Sequence, residues 1–421
     1  MTIQEVKQLD KDSYQIIDIR DDNEIAHGAI PGAVALKVEE IAENPLVDKS
    51  KKLVICCSRG KYSQEVVPEL IEKGLDAVSL KGGYIAWLMD LMREDQEKDI
   101  SADVEKSIRK KFRKSIWCKF TKAINQYELV KEGDCIAVCI SGGKDSMLMA
   151  KLFQELKLHN KFSFDVKFLV MDPGYSPENR KVIEENARKL NVPITIYESD
   201  IFEAVFHVDQ SPCYLCARMR RGHLYHYAQE LGCNKIALGH HYDDVIETTL
   251  MNMLNAGSFQ TMLPKLHSDH YEGMEVIRPM YFIRENDIID WKIKNHLTFI
   301  QCACRFTENC AVCDNGGGGS QRYETKQLIK RLMNEYSPVV EKNIFKAATN
   351  VNLDMILGYK EGGKEHTFLD DFDEKGKEID EEIRSKHLEE KALEKAISEH
   401  SQFVYDETFN YLLDKEKKDS N

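Results

Sequence analysis

The chain has 421 residues, 42% of them hydrophobic and 31% charged, with a formal net charge of −13. That length exceeds one ordinary domain, so two or three are expected, and the absence of any run of about 18 apolar residues excludes a transmembrane helix. The start, Met1-Thr2-Ile3-Gln4-Glu5, has neither a basic region nor an apolar signal core, so a cytoplasmic location is expected. In that compartment the twelve cysteines point to metal binding or thiol chemistry rather than a disulfide framework.

Residues 1 to about 98 alternate short apolar strands (15–18, 53–56, 77–80) with helical stretches (65–73, 86–93), which predicts a small α/β domain with a largely parallel sheet. Cys57 follows the second strand and opens the loop Cys57-Ser58-Arg59-Gly60-Lys61-Tyr62-Ser63. A loop whose amides point inward beside two cations favours a thiolate, and a persulfide on that sulfur would sit among N–H donors. A structural thiol at a strand end would look the same from this segment alone. Cys56 should point the other way, into the core. Three further segments accompany the loop: Asp18-Ile19-Arg20 with Glu24, Ile30-Pro31-Gly32-Ala33, and Leu80-Lys81-Gly82-Gly83-Tyr84-Ile85-Ala86-Trp87. Together they resemble the rhodanese fold, and that resemblance implies a persulfide-carrying Cys57.

A polar segment, 94–101, reads as a linker. Beyond it Lys106, Arg109, Lys110, Lys111, Arg113, Lys114, Lys119 and Lys122 share one window without acidic residues, whereas the region after 370 is acid-rich. Segregated charge of this kind leaves room for a nucleic-acid partner despite the negative total. Strands at 135–140, 166–171, 193–197 and 235–239, with helices between them, predict a doubly wound parallel sheet. The first strand feeds Ser141-Gly142-Gly143-Lys144-Asp145-Ser146, which opens a helix. Backbone N–H groups, a helix N-terminus and Lys144 then converge where an anion would bind. The pattern is not G-x-x-x-x-G-K-[ST]. It resembles instead the pyrophosphate-binding loop of the PP-loop ATPases, which split ATP to AMP and pyrophosphate while adenylating a substrate. Asp145 suits Mg2+ beside the phosphates. Asp172, in Asp-Pro-Gly at another strand end, is either a nucleotide contact or a turn former. Gly239-His240-His241-Tyr242-Asp243-Asp244 follows a further strand. Asp244 is the candidate there for a functional carboxylate, and Asp243 serves either that role or a helix cap.

Pro212-Cys213-Tyr214-Leu215-Cys216 is a C-x-x-C, and Cys302, Cys304, Cys310 and Cys313 follow much later. By themselves these allow a redox pair, a zinc site built from 213/216 and 310/313, or an iron–sulfur site with an open iron. Cys118, Cys135, Cys139 and Cys233 lie in apolar contexts and are expected to be packing residues. Across about 105–358, Glu132-Gly133-Asp134 through Ser146, the segment 213–222, Leu238 through Asp244, Ile277-Arg278-Pro279-Met280 and Arg284-Glu285-Asn286-Asp287-Ile288 together resemble the tRNA 2-thiocytidine synthetase (TtcA) group of PP-loop enzymes. The resemblance implies an adenine nucleotide alpha hydrolase-like fold, ATP, and a [4Fe-4S] cluster on Cys213, Cys216 and one later cysteine, taken as Cys304 with Cys302 as the alternative. It also implies a tRNA substrate, with Lys110, Lys111, Arg113, Arg220 and Arg221 as candidate RNA contacts.

The expectation is an α/β chain of three parts: a rhodanese-like sulfur carrier over 1–98, a PP-loop tRNA-thiolation domain over 105–358, and a charged extension over 359–421 containing one amphipathic helix near Leu388, Ala392, Leu393 and Ile397. The reaction expected is ATP-dependent replacement of a cytidine C2 oxygen by sulfur, with Lys144, Asp145 and Cys57 catalytic. A sulfur donor such as a cysteine desulfurase is an expected partner, no membrane is expected, and a homodimer is left open. The alternatives are a 2-thiouridine-forming relative and a non-enzymatic, metal- or redox-responsive RNA-binding protein.

Overall fold

The computed structural model describes residues 1–26, 28–94, 100–159, 162–206, 212–300 and 321–418. It divides into two compact units, Met1–Ala348 and Thr349–Asn421.

The first unit holds two sheets. The smaller contains β1 (Tyr14–Asp18), β2 (Val34–Ala35), β3 (Lys52–Cys56) and β4 (Ala77–Ser79), all parallel, in the order β2-β1-β3-β4. A strand as continuously apolar as Leu53-Val54-Ile55-Cys56 must be covered on both faces. The strand's two-residue period then sorts its side chains. Leu53 and Ile55 enter one cluster with Ile17, Val66 and Leu70; Val54 and Cys56 enter the other with Ile16, Leu80 and Tyr84. Cys56 is therefore a core residue, and burial pushes its thiol well above the ordinary cysteine range.

The larger sheet contains β5 (Cys135–Ile140), β6 (Asp165–Asp172), β7 (Ile194–Glu198), β8 (Lys235–Ala237), β9 (Lys265–His267) and β10 (Glu275–Ile277). Its order is β7-β6-β5-β8-β10-β9; every pairing is parallel except that of β9 with β10. The chain steps outward from β5 to β7, then returns to lay β8 on the other side of β5. The carboxyl ends of β5 and β8 thus flank the point where the winding reverses, the usual place for a ligand in such a sheet. The helix Lys144–His159 that follows β5 is enclosed by the core, with Met147, Leu148, Met149, Ala150, Leu152 and Phe153 all buried. At the opposite end of the sheet Lys235 Nζ sits 2.7 Å from Asp134 and 3.2 Å from Glu275 and donates to the Leu129 carbonyl at 3.1 Å. From the smaller sheet's side, Met89 packs against the core of the larger one.

Two expectations change. The basic window runs through Ser101–Arg109, a π-helical turn at Arg113–Trp117, and Cys118–Gln126. Within it Arg109 pairs with Glu155 at 2.7 Å and Lys119 with Asp287 at 2.8 Å, so two of its cations are neutralised by distant residues. Cys118 is exposed rather than packed, because Phe120, Ala123 and Ile124 take the buried face of its helix.

The second unit has a hairpin of β11 (Gly358–Glu361) with β12 (Lys364–Thr367) and a helix, Phe372–Lys418. The helix contains Leu388, Leu393 and Ile397, but all three are exposed. No helix among the described residues is long and apolar enough to cross a membrane.

Asp134→Ala is expected to cost about 3 kcal/mol, because it leaves a buried ammonium with one carboxylate fewer. A lowered urea midpoint of the full-length chain, with an unchanged slope, is the check.

Candidate nucleotide and persulfide sites

The loop after β5 is held by its own hydroxyls. Ser146 Oγ accepts from Ser141 N at 3.2 Å and donates to the Gly143 carbonyl at 3.1 Å. Gly142 has φ +84°, and a Cβ there would stand 2.5 Å from Ile183 and 2.8 Å from Ile300; sterics and backbone both require glycine. The end of β8 approaches closely too, since a Cβ on Gly239 would lie 3.3 Å from Ser146 N.

Lys144 is buried with Nζ 3.2 Å from both Asp145 Oδ2 and Glu285 Oε1. Burial alone would lower its pKa, but the two carboxylates outweigh burial and raise it, so it stays a cation. Glu285 also binds Lys326. Asp145 Oδ1 and His240 Nδ1 are buried and make no hydrogen bond, while His241 Nδ1 stands 3.4 Å from Asp244 Oδ2. Buried polar atoms without a hydrogen bond call for a partner, which a water, an ion or a ligand can supply. Burial holds the His240 ring down to about 4, which makes it a neutral wall of the site.

The acids on β8's loop are both engaged. Asp243 accepts from Arg284 and from Glu285 N at 2.7 Å. Asp244 accepts from His241 N at 2.9 Å and from Arg322 at 2.7 Å. Burial would raise Asp244, yet His241, His240, that N–H and Arg322 keep it below the usual carboxylate range. Asp172 closes its own turn, with Oδ1 accepting from Gly174 N at 2.8 Å and Tyr175 N at 2.6 Å. Glu285 and Arg322 carry little signal in the sequence: Glu285 lies within the 284–288 segment and Arg322 follows Gly319-Ser320-Gln321.

The second site is the Cys57 loop. Cys57 Sγ is buried and faces Gly60 N at 3.0 Å, Ser63 N at 3.3 Å and Ser63 Oγ at 3.3 Å. The Cys57 carbonyl accepts from Tyr84 N at 2.9 Å, the Ser58 carbonyl from Ile85 N at 3.1 Å, and Ser58 Oγ donates to Glu24 at 2.8 Å. This interlock needs Gly83, whose φ is +57° and whose Cβ would come within 2.2 Å of the Cys57 carbonyl oxygen.

Residues 113–304 match the PP-loop domain family and residues 2–90 the rhodanese-like domain family. A tRNA-cytidine(32) 2-sulfurtransferase of Geotalea uraniireducens is 38% identical over 234 residues, 55% of this chain and 88% of that protein. One from Alcanivorax borkumensis is 36% identical over 239 residues, 55% and 78% of the two chains. The chain belongs to the tRNA-cytidine(32) 2-sulfurtransferase family. Among solved structures, the U34-tRNA thiolase NcsA from Methanococcus maripaludis with its [4Fe-4S] cluster aligns with TM-score 0.43 and 17% identity, covering 56% of this chain and 78% of that one.

Of the cysteines that the family resemblance implied as cluster ligands, Cys213 and Cys216 lie one turn apart on the helix Pro212–Glu230, and the Cys216 thiol is buried. Cys302, Cys304, Cys310 and Cys313 lie outside the described residues. Among the described residues no three His, Cys, Asp or Glu gather as a metal site. Of the RNA candidates, Lys110, Lys111, Arg113 and Arg221 are exposed, and Arg220 donates to Tyr175 Oη at 3.2 Å.

Since the folded protein favours a neutral His240, the stability this contributes is complete above the unfolded value of 6.5 and is lost as pH falls towards about 4. The His240 ring signals in NMR should stay those of a neutral imidazole at pH 5.5; a ring titrating near 6.5 would contradict the burial.

Proposed function

We propose that the protein is a tRNA sulfurtransferase that replaces the C2 oxygen of a cytidine with sulfur at the expense of ATP. Membership of the cytidine sulfurtransferase family supports the substrate class. The observation that carries the chemistry is Asp145 Oδ1, buried without a hydrogen bond and 3.9 Å from His241 Nε2, beside the buried Lys144 at the carboxyl end of β5. A carbonyl-type oxygen is a poor leaving group. Attack of the cytidine O2 on the α-phosphorus releases pyrophosphate and leaves an adenylated base. Hydrosulfide then adds at C2 and AMP departs; where the sulfur comes from a persulfide, a second thiol would release it as hydrosulfide and be left in a disulfide.

In this reading the amides of Ser141 to Ser146 and Lys144 hold the phosphates and stabilise the charge of the departing pyrophosphate. Asp145 fits Mg2+ through its unbonded oxygen. Asp244 already serves His241 and Arg322, and would reach the ion only by exchanging Arg322. Asp172 is offered as a nucleotide contact through Oδ2, the oxygen its turn leaves, 3.6 Å from Arg180. Cys213, Cys216 and Cys304, with Cys302 as the alternative to Cys304, would hold a [4Fe-4S] cluster. The one-turn spacing of the first two fits such a site, and an open iron supplies a place to bind inorganic sulfur. Cys57 would carry a persulfide received from a donor such as a cysteine desulfurase, its charge held by the Gly60 and Ser63 amides. The exposed Lys110, Lys111, Arg113 and Arg221, with Arg220, supply charge for a tRNA backbone. The domain limits 1–98, 105–358 and 359–421 belong to the same reading, as does a cytoplasmic location.

In anaerobically prepared full-length protein, bulk tRNA should stimulate pyrophosphate release from ATP, and Lys144→Ala should reduce it at least about 100-fold. Mass spectrometry of the tRNA nucleosides should find 2-thiocytidine. A 2-thiouridine product would shift the substrate base, and no RNA-stimulated release would overturn the enzyme reading. Cys57→Ser should stop labelled sulfur passing from thiosulfate to tRNA; undiminished transfer would remove the rhodanese-like domain from the route.

A further inference from the structure

Two of the cysteines expected only to fill space meet at the amino end of the larger sheet. Cys135 opens β5, Cys233 stands two residues before β8, and their sulfurs lie 3.3 Å apart. The chain around them is pinned. Asn234 N donates to the Cys135 carbonyl at 3.0 Å, Cys135 N donates to Asn234 Oδ1 at 2.8 Å, and Cys233 N donates to the Ala228 carbonyl at 2.8 Å. The two thiols are thus held as neighbours although 98 positions separate them in sequence. Cys139 shares their apolar cluster, but its sulfur faces the Ala137 carbonyl at 3.8 Å, which leaves Cys135 and Cys233 as the pair.

Their surroundings differ. Cys135 is half-buried, whereas Cys233 is 5% exposed. Burial, and then the contact with Cys135, push the Cys233 thiol well above the ordinary cysteine range. Two sulfurs are too few for a structural zinc, which takes four ligands. Two thiols in contact, one accessible and one sheltered, are instead the reactants of a disulfide.

We propose that Cys135 and Cys233 are a redox-active pair, which a hydroperoxide oxidises to a disulfide that braces the sheet and which a small dithiol restores. The site is distinct from the Cys57 loop and lies at the opposite end of β5 from the nucleotide loop. Cys135, the accessible sulfur, reacts first. An S–O bond forms as the O–O bond of hydrogen peroxide breaks, the thiol proton leaves with the departing hydroxide as water, and Cys135 becomes a sulfenic acid. The Cys233 sulfur then attacks the Cys135 sulfur. The S–S bond forms as the S–O bond breaks, and the hydroxyl takes the Cys233 proton away as a second water. Two thiols have lost two electrons, and one peroxide has become two waters. The sulfurs close from 3.3 Å to about 2.05 Å. The new bond ties the root of β5 to the segment that follows the helix of Cys213 and Cys216. Closing so long a loop restricts the unfolded chain strongly.

The test treats reduced full-length protein with hydrogen peroxide, blocks remaining thiols with N-ethylmaleimide, and digests it without reductant. Mass spectrometry should find a peptide containing Cys135 joined to one containing Cys233, and dithiothreitol should abolish it. In Cys233→Ala, dimedone should trap Cys135 as its sulfenic acid. The urea midpoint of oxidised wild type should exceed that of the reduced protein by roughly 0.5 M or more, and oxidised Cys135→Ser should show no such rise. Two alkylated thiols after peroxide has oxidised the exposed Cys118 would overturn the proposal. So would wild-type Cys135 found as sulfinic acid beside a free Cys233. A linked peptide with an unchanged midpoint would overturn the bracing role. The wild-type digest decides the pairing even if Cys233→Ala fails to fold.

Discussion

Burying the ammonium of Lys144 is the constraint on which the nucleotide end of the larger sheet depends. A cation cannot leave water without partners. Asp145, its neighbour in sequence, and Glu285, 141 positions away, supply them. Meeting that demand fixes the helix that begins at Glu285 against the helix that begins at Lys144. Arg284, one residue earlier, is then in place to hold Asp243, and Lys326 to hold Glu285. Arg322, on the same helix as Lys326, grips Asp244 and Glu247, and burial pushes Glu247 up to about 7 despite that cation. A connected network of charge therefore surrounds a loop whose own backbone is set by Gly142 and two serine hydroxyls. Such a network rigidifies a site when its members are satisfied; here Asp145 Oδ1 and His240 Nδ1 are left without a hydrogen bond beyond the carboxyl ends of β5 and β8.

The Cys57 loop follows a different plan. Among the described residues, Gly60 N and Ser63 N donate to its sulfur and the thiol donates to Ser63 Oγ. Neutral amides aimed at one point would suit a thiolate and a persulfide alike, since both carry one negative charge and need the same cradle. The rigidity comes from the residues just after the Gly82-Gly83 turn, where Tyr84 N and Ile85 N donate to the carbonyls of Cys57 and Ser58.

Local pattern made much of this visible in the sequence. The run Cys135 to Ile140 could only be a strand buried on both faces, and the glycines after it could only be a turn. Cys56 and Cys57 part company because alternation along β3 must send neighbours to opposite sides. What stayed hidden is non-local. β9 and β10 have three residues each, too few to show a period of two. The salt bridges of Arg109 and Lys119 join positions 46 and 168 apart, so a window free of acids in sequence is not free of them in space. The roles of Glu285 and Arg322 likewise exist only once the chain has folded.

The rhodanese-like domain is packed on the PP-loop domain, not strung beside it. Met89 joins the larger core. Covalent linkage alone would give a sulfur carrier a raised effective concentration near its acceptor. A packed seam adds orientation as well: Met89, carried by the helix that follows the Gly82-Gly83 turn, is fixed against the larger core, so the turn that braces the Cys57 loop cannot swing freely of the larger sheet.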